Sequence, residues 1–168
     1  MTVIETARLR LRWLQPQDAT FILELLTDAQ FLANVGERGV HDLQGARRYI
    51  EDGAGVSYRR FGFGLYAVEL KAAAVTLGLC GLLRRDSHPD VELGFAMLPR
   101  ARRLGYTREA AAATLEFAFN ELHLQRVVAI AAPHNHVSMH ILQQLGMRAE
   151  GRAHFTADGE SQLFSIER

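Results

Sequence analysis

Cysteine occurs once in the 168 residues, as Cys80. A lone thiol excludes an internal disulfide and any zinc site of CxxC type. An excess of charge of either sign is also missing: Lys+Arg and Asp+Glu both number 19. A generally basic nucleic-acid or membrane surface is therefore not expected, and any basic patch must be local. No apolar run reaches membrane-spanning length, and the start, MTVIETARLRLRW, lacks the apolar core of a signal peptide. The expectation is a cytoplasmic protein with no membrane or nucleic-acid partner. Repeats, linkers and low-complexity tracts are absent, as are the strings GxxxxGK[ST] and HExxH. What is present, 48% hydrophobic and 23% charged residues, is ordinary globular composition. It suits one domain, residues 1–168, with a substantial core.

The patterning supplies the elements. Residues 7–14, ARLRLRWL, alternate strictly. Leu9, Leu11 and Trp13 share one face and Arg8, Arg10 and Arg12 the other, which predicts a half-buried strand. A polyanion site is the alternative reading of those arginines. Pro16 and Asp18 open a helix through about Thr27, with Ile22, Leu25 and Leu26 inward. NVGERGVH (34–41) reads as a loop, and a second helix follows near 42–52 with Ala46, Tyr49 and Ile50 inward. FGFGLYAVEL (61–70) and TLGLCGLLRR (76–85) read as strands joined at KAAAV, and VELGFAML (91–98) as a fourth. A helix over 106–121, a buried strand at 125–133 and a short helix at 136–145 come next, the last ending at Gly146. Two strands near 147–155 and 161–167 flank a turn at Asp158-Gly159. This order predicts an α/β (α+β) fold with a mixed, mostly antiparallel sheet of about seven strands and about four helices.

One stretch asks for a functional reason. PRARRLGYTREAAAATLEFAFNEL, from Pro99, packs three arginines into residues 100–103, then a lone glycine, then an alanine-rich helix. A helix N-terminus carries unsatisfied N–H groups and partial positive charge, and a glycine there lets an anion approach the backbone closely. Arg102 and Arg103 add charge beside those amides, and Ala110 to Ala113 let the helix lie near the sheet. Ala111, Leu115, Ala118 and Leu122 form its buried stripe. The turn therefore reads as a phosphate cradle, against the alternative of a surface turn with solvated arginines. GFGLYA (62–67) matches GxGxxA only as a string, inside a strand pattern.

PRARRLGYTREA is similar to the acyl-CoA pyrophosphate loop of the GNAT N-acetyltransferase superfamily, pattern Q/R-x-x-G-x-G/A, on Arg102, Gly105 and Thr107. TARLRLRWLQPQDA resembles the first strand and helix start of the branch of ribosomal-protein N-terminal acetyltransferases. VELGFAMLP resembles the strand that binds the pantetheine arm, and NHVSMHILQQLGM that branch's N-x-x-S-x-x-x-L-x-x-L-G-[FM] helix. Thr107 departs from the Gly or Ala of the pattern. Arg103 and Leu104 replace a basic–glycine pair. Leu142 stands where many members place a tyrosine acid.

The resemblance implies acetyl transfer from acetyl-CoA straight to a primary amine, through a tetrahedral intermediate. By position it implies Met97, Pro99, Arg102, Arg103, Leu104, Gly105, Tyr106 and Thr107 as the acetyl-CoA site. The Met97 N–H is the candidate oxyanion donor. It adds Asn135 on the pantetheine arm and Ser138 near the leaving thiolate; structurally, Asn135 is also a good N-cap. Glu92 is the base candidate, weighed against a cross-strand salt bridge, and His134 a second base candidate. The acceptor would lie near Phe31, Asn34, Glu37, Arg38 and His41, with His154 and Phe155 opposite. His136 and His140 have metal-binding spacing but no evident third ligand, so no metal is expected. Cys80 reads as a small core residue. The alternative functions are a non-catalytic acyl-CoA-binding or sensing module and a small nucleotide-binding protein. The acceptor stays open between a protein N-terminus, a polyamine, an aminoglycoside and an amino acid, as does monomer against homodimer.

Overall fold

Strict alternation makes Leu9–Trp13 a strand, β2, flanked by β1 (Thr2–Glu5) and β3 (Leu65–Leu70). Leu9 and Leu11 are fully buried, each worth roughly 1.5–3 kcal/mol of burial. On the other face Arg10 and Arg12 both reach Glu69 across the β2–β3 pair. Arg12 also grips Asp18 at the start of the first helix, and Arg8 reaches Glu109. The arginine stripe is thus spent on carboxylates of this same chain rather than held out to a polyanion. In this computed structural model the described residues are 1–86, 88–156 and 159–168, the side chains of 154–156 excepted.

The remaining strands are β4 (Val75–Arg84), β5 (Val91–Met97), β6 (Arg126–Ala131), β7 (Arg148–Thr156) and β8 (Gly159–Glu167). They form one sheet in the order β1-β2-β3-β4-β5-β6-β8-β7. All pairs are antiparallel except β5–β6. The described sheet has eight strands where the sequence pattern suggested about seven. The extra one is β1, whose four residues bury only Ile4, too short a run for alternation to show. Asp158, half of the expected turn between β7 and β8, lies outside the described residues.

The helices differ from expectation in two places. α1 (Ala19–Leu26) follows a 3-10 turn at Pro16–Asp18 as expected. α2 (Ala29–Val35) was not expected, and it takes in the start of the assigned loop. Asp28 caps it by accepting from the Phe31 N–H, but Phe31 is its one buried residue, so it leaves no apolar stripe to read. α3 (Leu43–Tyr49) runs through a π-helical stretch, Ile50–Gly55, directly into α4 (Val56–Phe61). The predicted second helix is therefore longer, and Phe61 belongs to it rather than to β3. The helix stops at Gly62, whose φ of 78° is the left-handed conformation glycine tolerates. Counting that continuous rod once gives five helices among the described residues against about four expected. α4 is anchored by aromatic stacking: Tyr58 lies 4.7 Å from Trp13 and 5.8 Å from Tyr66, ring centre to ring centre.

α5 (Tyr106–Asn120) covers one face of β4 and β5. Ala110, Ala111 and Ala118 are fully buried there, so the helix lies close to the sheet. Thr114 is buried too; its hydroxyl donates to the Ala110 carbonyl and sits 3.5 Å from the Cys80 sulfur. α6 (His136–Gln144) follows β6. α5 is the crossover that makes β5 and β6 parallel.

Candidate active site

β5 and β6 pair in register only at Val91↔Val127 and Glu92↔Val128. Beyond Glu92 no further pairing is made between them, and a cavity of about 670 Å³ opens at the fork. Its floor on β5 is Glu92, Gly94 and Ala96, which alternation places on one face. Cys80, opposite Phe95 in register, meets Thr114 of α5, so Phe95 shares the α5 face and Glu92 faces the other side. Two small residues after one acid keep the floor open. A Cβ on Gly94 would come within 2.9 Å of Leu83.

Glu92 is only 3% exposed. Arg85, just past the end of β4, donates to it with Nε at 2.5 Å and a terminal nitrogen at 3.2 Å. His88 Nε2 stands 3.7 Å from the same carboxylate. The cross-strand salt bridge and the base role are thus not exclusive readings of Glu92: the pair exists, and the carboxylate lines the cavity. Each carboxylate oxygen has more than one lone-pair direction, so Arg85 need not occupy them all.

The walls come from other elements. α2 supplies Phe31 and Asn34, and the segment after it Arg38, whose guanidinium donates to the Val35 carbonyl at 2.6 Å. Tyr49, at the end of α3, also lines the cavity. Burial raises the Tyr49 hydroxyl above its ordinary value, opposed by the charges of Arg38 and Arg85, so both guanidiniums lie within electrostatic reach of it. Beyond β6, His134 contacts the Ala33 carbonyl at 3.1 Å, tying this loop to α2. Asn135 caps α6, accepting from the Ser138 N–H at 3.2 Å and donating to the Ser138 hydroxyl oxygen at 2.9 Å. Because Ser138 accepts there, it keeps its own proton for another acceptor. Leu142 is buried on the same wall and has no proton to give.

Backbone direction supplies a second set of groups. The Leu98 N–H donates to the Leu77 carbonyl at 2.9 Å. Strict alternation along the β4–β5 register then points Ala96 and Leu98 at β4, and Phe95 and Met97 away from it, toward the fork. The Met97 carbonyl accepts from Arg102 Nε at 3.0 Å, as that direction requires. Pro99 opens a 3-10 turn that ends at Ala101. Arg103, with φ of 62°, and Gly105, with φ of 80°, bend the chain into α5. No side chain caps α5 at Gly105, so the amides of its first turn, beginning at Tyr106 and Thr107, are presented outward. Arg8 braces this turn: it donates to the Leu104 carbonyl at 3.0 Å and to Glu109, and its guanidinium lies 4.5 Å from the centre of the Tyr106 ring. Burial raises the Glu109 carboxyl, but hydrogen bonds from Thr6 and Arg8 outweigh it and hold it below the ordinary range.

The structure gathers Glu92, His134, Asn135, Ser138, Phe31, Asn34 and Arg38 around one cavity. Met97 to Thr107 are not on its wall; they continue the chain from Ala96, the last β5 residue that lines it, through the 3-10 turn into α5. Arg102 does not stand free beside the helix amides, because its terminal nitrogen pairs with Asp28, the cap of α2. Glu37 and His41 face each other at 3.6 Å, both exposed and off the cavity wall. The side chains of His154 and Phe155 lie outside the described residues. Cys80 is fully buried, which pushes its thiol up to about 12. Among the described residues no group of three His, Cys, Asp or Glu could hold a metal; His140 contacts Gln144. No described helix is long and apolar enough to cross a membrane.

Sequence reasoning missed Arg85 as a site residue and treated Tyr49 as core. The signal for Arg85 was hairpin register: with Leu83 opposite Glu92, the residue two further on shares the acid's face. Tyr49 carried no signal, since an inward helical tyrosine looks the same over a core or a cavity.

The Acetyltransferase (GNAT) domain family matches residues 8–148. An uncharacterized N-acetyltransferase of Bacillus subtilis, YnaD, is 28% identical over 148 residues, covering 88% of this chain and 84% of that protein. The ribosomal-protein-S5-alanine acetyltransferase from Vibrio fischeri shares the fold at TM-score 0.78 and 20% identity, over 99% of this chain and 96% of that one. The spermidine N-acetyltransferase from Vibrio cholerae, solved in complex with CoA and spermine, does so at TM-score 0.79 and 20% identity, over 96% of both chains. With a forked mixed sheet, an uncapped helix start beside it and the family's pattern along 141 of its residues, from 8 to 148, the chain belongs to the GNAT acetyltransferases.

Proposed function

We propose that the chain is one catalytic domain, residues 1–168, that transfers an acetyl group from acetyl-CoA to a primary amine in the cytoplasm. The observation that carries this is the fork after Glu92, with outward amides on one arm and polar side chains on the other. The groups present suit an acyl-CoA. The first-turn amides of α5 at Tyr106 and Thr107, with Gly105 clearing their approach, suit a pyrophosphate. Arg103 and Leu104 complete that turn, and Arg102 fixes its distance from α2 through Asp28. The outward backbone edge of β5 suits an extended pantetheine arm, with the Met97 N–H kept for the acyl oxygen, Pro99 at the end of the strand and Asn135 opposite.

Acyl transfer then needs three things from the protein. The carbonyl oxygen gathers negative charge as the amine adds, and the Met97 N–H is our candidate donor to it, worth about 3 kcal/mol for such a donor. The nucleophile must be neutral, yet an α-amino group has a pKa of about 7.7 and a lysine about 10.4. Glu92 accepts that proton, directly or through water, with His134 as the second candidate. When the C–S bond breaks, the thiolate takes a proton through the Ser138 hydroxyl, which Asn135 holds by its oxygen.

Calorimetric titration with acetyl-CoA, beside Gly105→Val and an ATP control, tests the reading. Micromolar acetyl-CoA binding, at least about tenfold weaker in the variant, and CoA release with an amine are expected. Binding without turnover on any amine would favour a sensing module. No binding would leave the likeness to the family one of fold alone.

A further inference from the structure

α2 is a short helix with little packing of its own. Phe31 is its one buried residue, yet it places Phe31 and Asn34 on the cavity wall. It is held from its two ends, each tied to a different arm of the fork. At the far end the Ala33 carbonyl lies 3.1 Å from Nε2 of His134, three residues past β6. At the near end Arg102 reaches over from the turn that follows β5. Its Nε donates to the Met97 carbonyl at 3.0 Å, and a terminal nitrogen donates to Asp28 Oδ2. That same oxygen accepts the Phe31 N–H at 3.1 Å and so caps α2. One guanidinium therefore joins the last residue of β5 to the cap of α2. Burial raises the Asp28 carboxyl, but hydrogen bonds from Arg102 and the Phe31 N–H outweigh it and hold it below the ordinary range. The pair is mostly covered, with 27% and 13% of the two side chains exposed. The neighbouring pair Arg100–Glu24, which ties the same turn to α1, is about half exposed on both sides, where an ion pair contributes little.

We propose that Arg102 is a positioning residue for the acceptor: through Asp28 it sets the place of α2, and with it Phe31 and Asn34, relative to the end of β5, rather than binding the phosphates of acetyl-CoA. This rests on the amine N-acetyltransferase reading of the same fork. A guanidinium suits the task because its donors are fixed in one plane. Nε and a terminal nitrogen then hold Met97 and Asp28 at a set separation. A lysine carries the same charge but no such fork. On this reading the acyl group is held from the β5 side and the amine lies against α2, so the spacing between the two sets the attack distance. A misplacement of about 1 Å there costs on the order of a hundredfold in rate.

Amide exchange and turnover test this separately in Arg102→Gln, Arg102→Lys, Asp28→Ser and Glu24→Gln. Serine keeps a capping oxygen for the Phe31 N–H but no carboxylate for Arg102. Glu24→Gln breaks only the exposed pair beside it. Exchange over residues 31–35 should quicken about fivefold or more in the first three variants and not in Glu24→Gln, while residues 110–115 of α5 exchange as in the wild type. Turnover is read with saturating acetyl-CoA and the best acceptor among a peptide with an N-terminal alanine, spermidine, kanamycin and glycine. kcat/KM for that amine should fall about tenfold or more in the same three variants, with the Kd for acetyl-CoA within about twofold of the wild type. Combining Arg102→Gln with Asp28→Ser should be no worse than the poorer single variant, because both remove one contact. Unchanged exchange over residues 31–35 in both Arg102 variants would overturn the proposal, as would additive losses in the double variant. So would acetyl-CoA binding weakened about tenfold by Arg102→Gln but kept by Arg102→Lys, the signature of a phosphate ligand. Quickened exchange with no turnover of any amine by the wild type would sustain the tie to α2 and defeat the transferase reading. Wild-type turnover that every variant keeps would defeat the positioning role and sustain the transferase.

Discussion

Arg85 and Glu92 meet at the last register pair before β5 leaves β6, joined by two hydrogen bonds of 2.5 and 3.2 Å. This pair gives the first prediction. Glu92→Gln keeps the size of the side chain and removes its capacity to take a proton. Acetyl transfer should fall about 10²–10⁴-fold, while the Kd for acetyl-CoA changes less than about twofold. Arg85→Ala should act differently. It leaves a carboxylate 3% exposed without its arginine, and denaturant unfolding should show a loss of about 3–5 kcal/mol. Transfer that survives Glu92→Gln at full rate would shift the base role to His134.

Gly105 is the second test, read now at the level of the folded turn. Its φ of 80° is strained for any residue with a Cβ, and that Cβ would lie 3.3 Å from an Arg8 nitrogen. Gly105→Ala should cost about 1–2 kcal/mol in stability and weaken acetyl-CoA more than Gly151→Ala does. Gly151 also has positive φ but meets nothing within 4 Å, so it controls for the strain alone. Equal affinities in the two variants would remove the α5 start from the binding site.

Acid should open the β6–β7–β8 end by a titration that can be assigned. Arg126 and then Ser165 hold the Glu150 carboxyl at about 2, from an ordinary value near 4.5. The folded form is the one with the lowered value. Its stabilising contribution is therefore full above about 4.5, declines as the pH falls and is gone below about 2. Unfolding midpoints measured across that window should be steeper for the wild type than for Glu150→Gln. Parallel pH profiles would show that the pair contributes nothing.

Cys80 should be inert while the protein is folded. Its thiol is buried and pushed up to about 12, and the thiolate is the reactive form. Alkylation by iodoacetamide at pH 8 should be negligible in the native protein and rapid in urea. Fast native alkylation would mean that α5 lifts from β4.

Much of this was legible because the strongest sequence signals were also the strongest physical constraints. Leu9 and Leu11 alternate with arginines, and the strand they predict is fully formed. The stripe Ala111, Leu115, Ala118 predicts the buried face of α5. The start of α5 was readable for the same reason, since the lone Gly105 directly precedes the alanine-rich helical run. α2 was not legible, because its buried surface is one phenylalanine and its start depends on the Asp28 side chain. The Arg102–Asp28 pair was hidden for another reason. Long side chains choose partners across elements, so Arg102 could be placed on its turn but not aimed. The acceptor end suffered most, because its walls come from α2, α3, β4 and β8 and meet only in three dimensions.

The fork has one more consequence. Between strands β1–β5 and β6–β8 the sheet is closed by two register pairs, Val91↔Val127 and Glu92↔Val128, and past them the two halves share no ladder. Mechanically this is a hinge with its pin at Glu92. A ligand lying in the gap and bonding both arms would act as a strut, so occupancy of the gap and the stiffness of the whole sheet become the same quantity. Amide exchange at Ala129 and Ile130, far along the chain from Phe95, should slow together with exchange at Phe95 when the gap is filled.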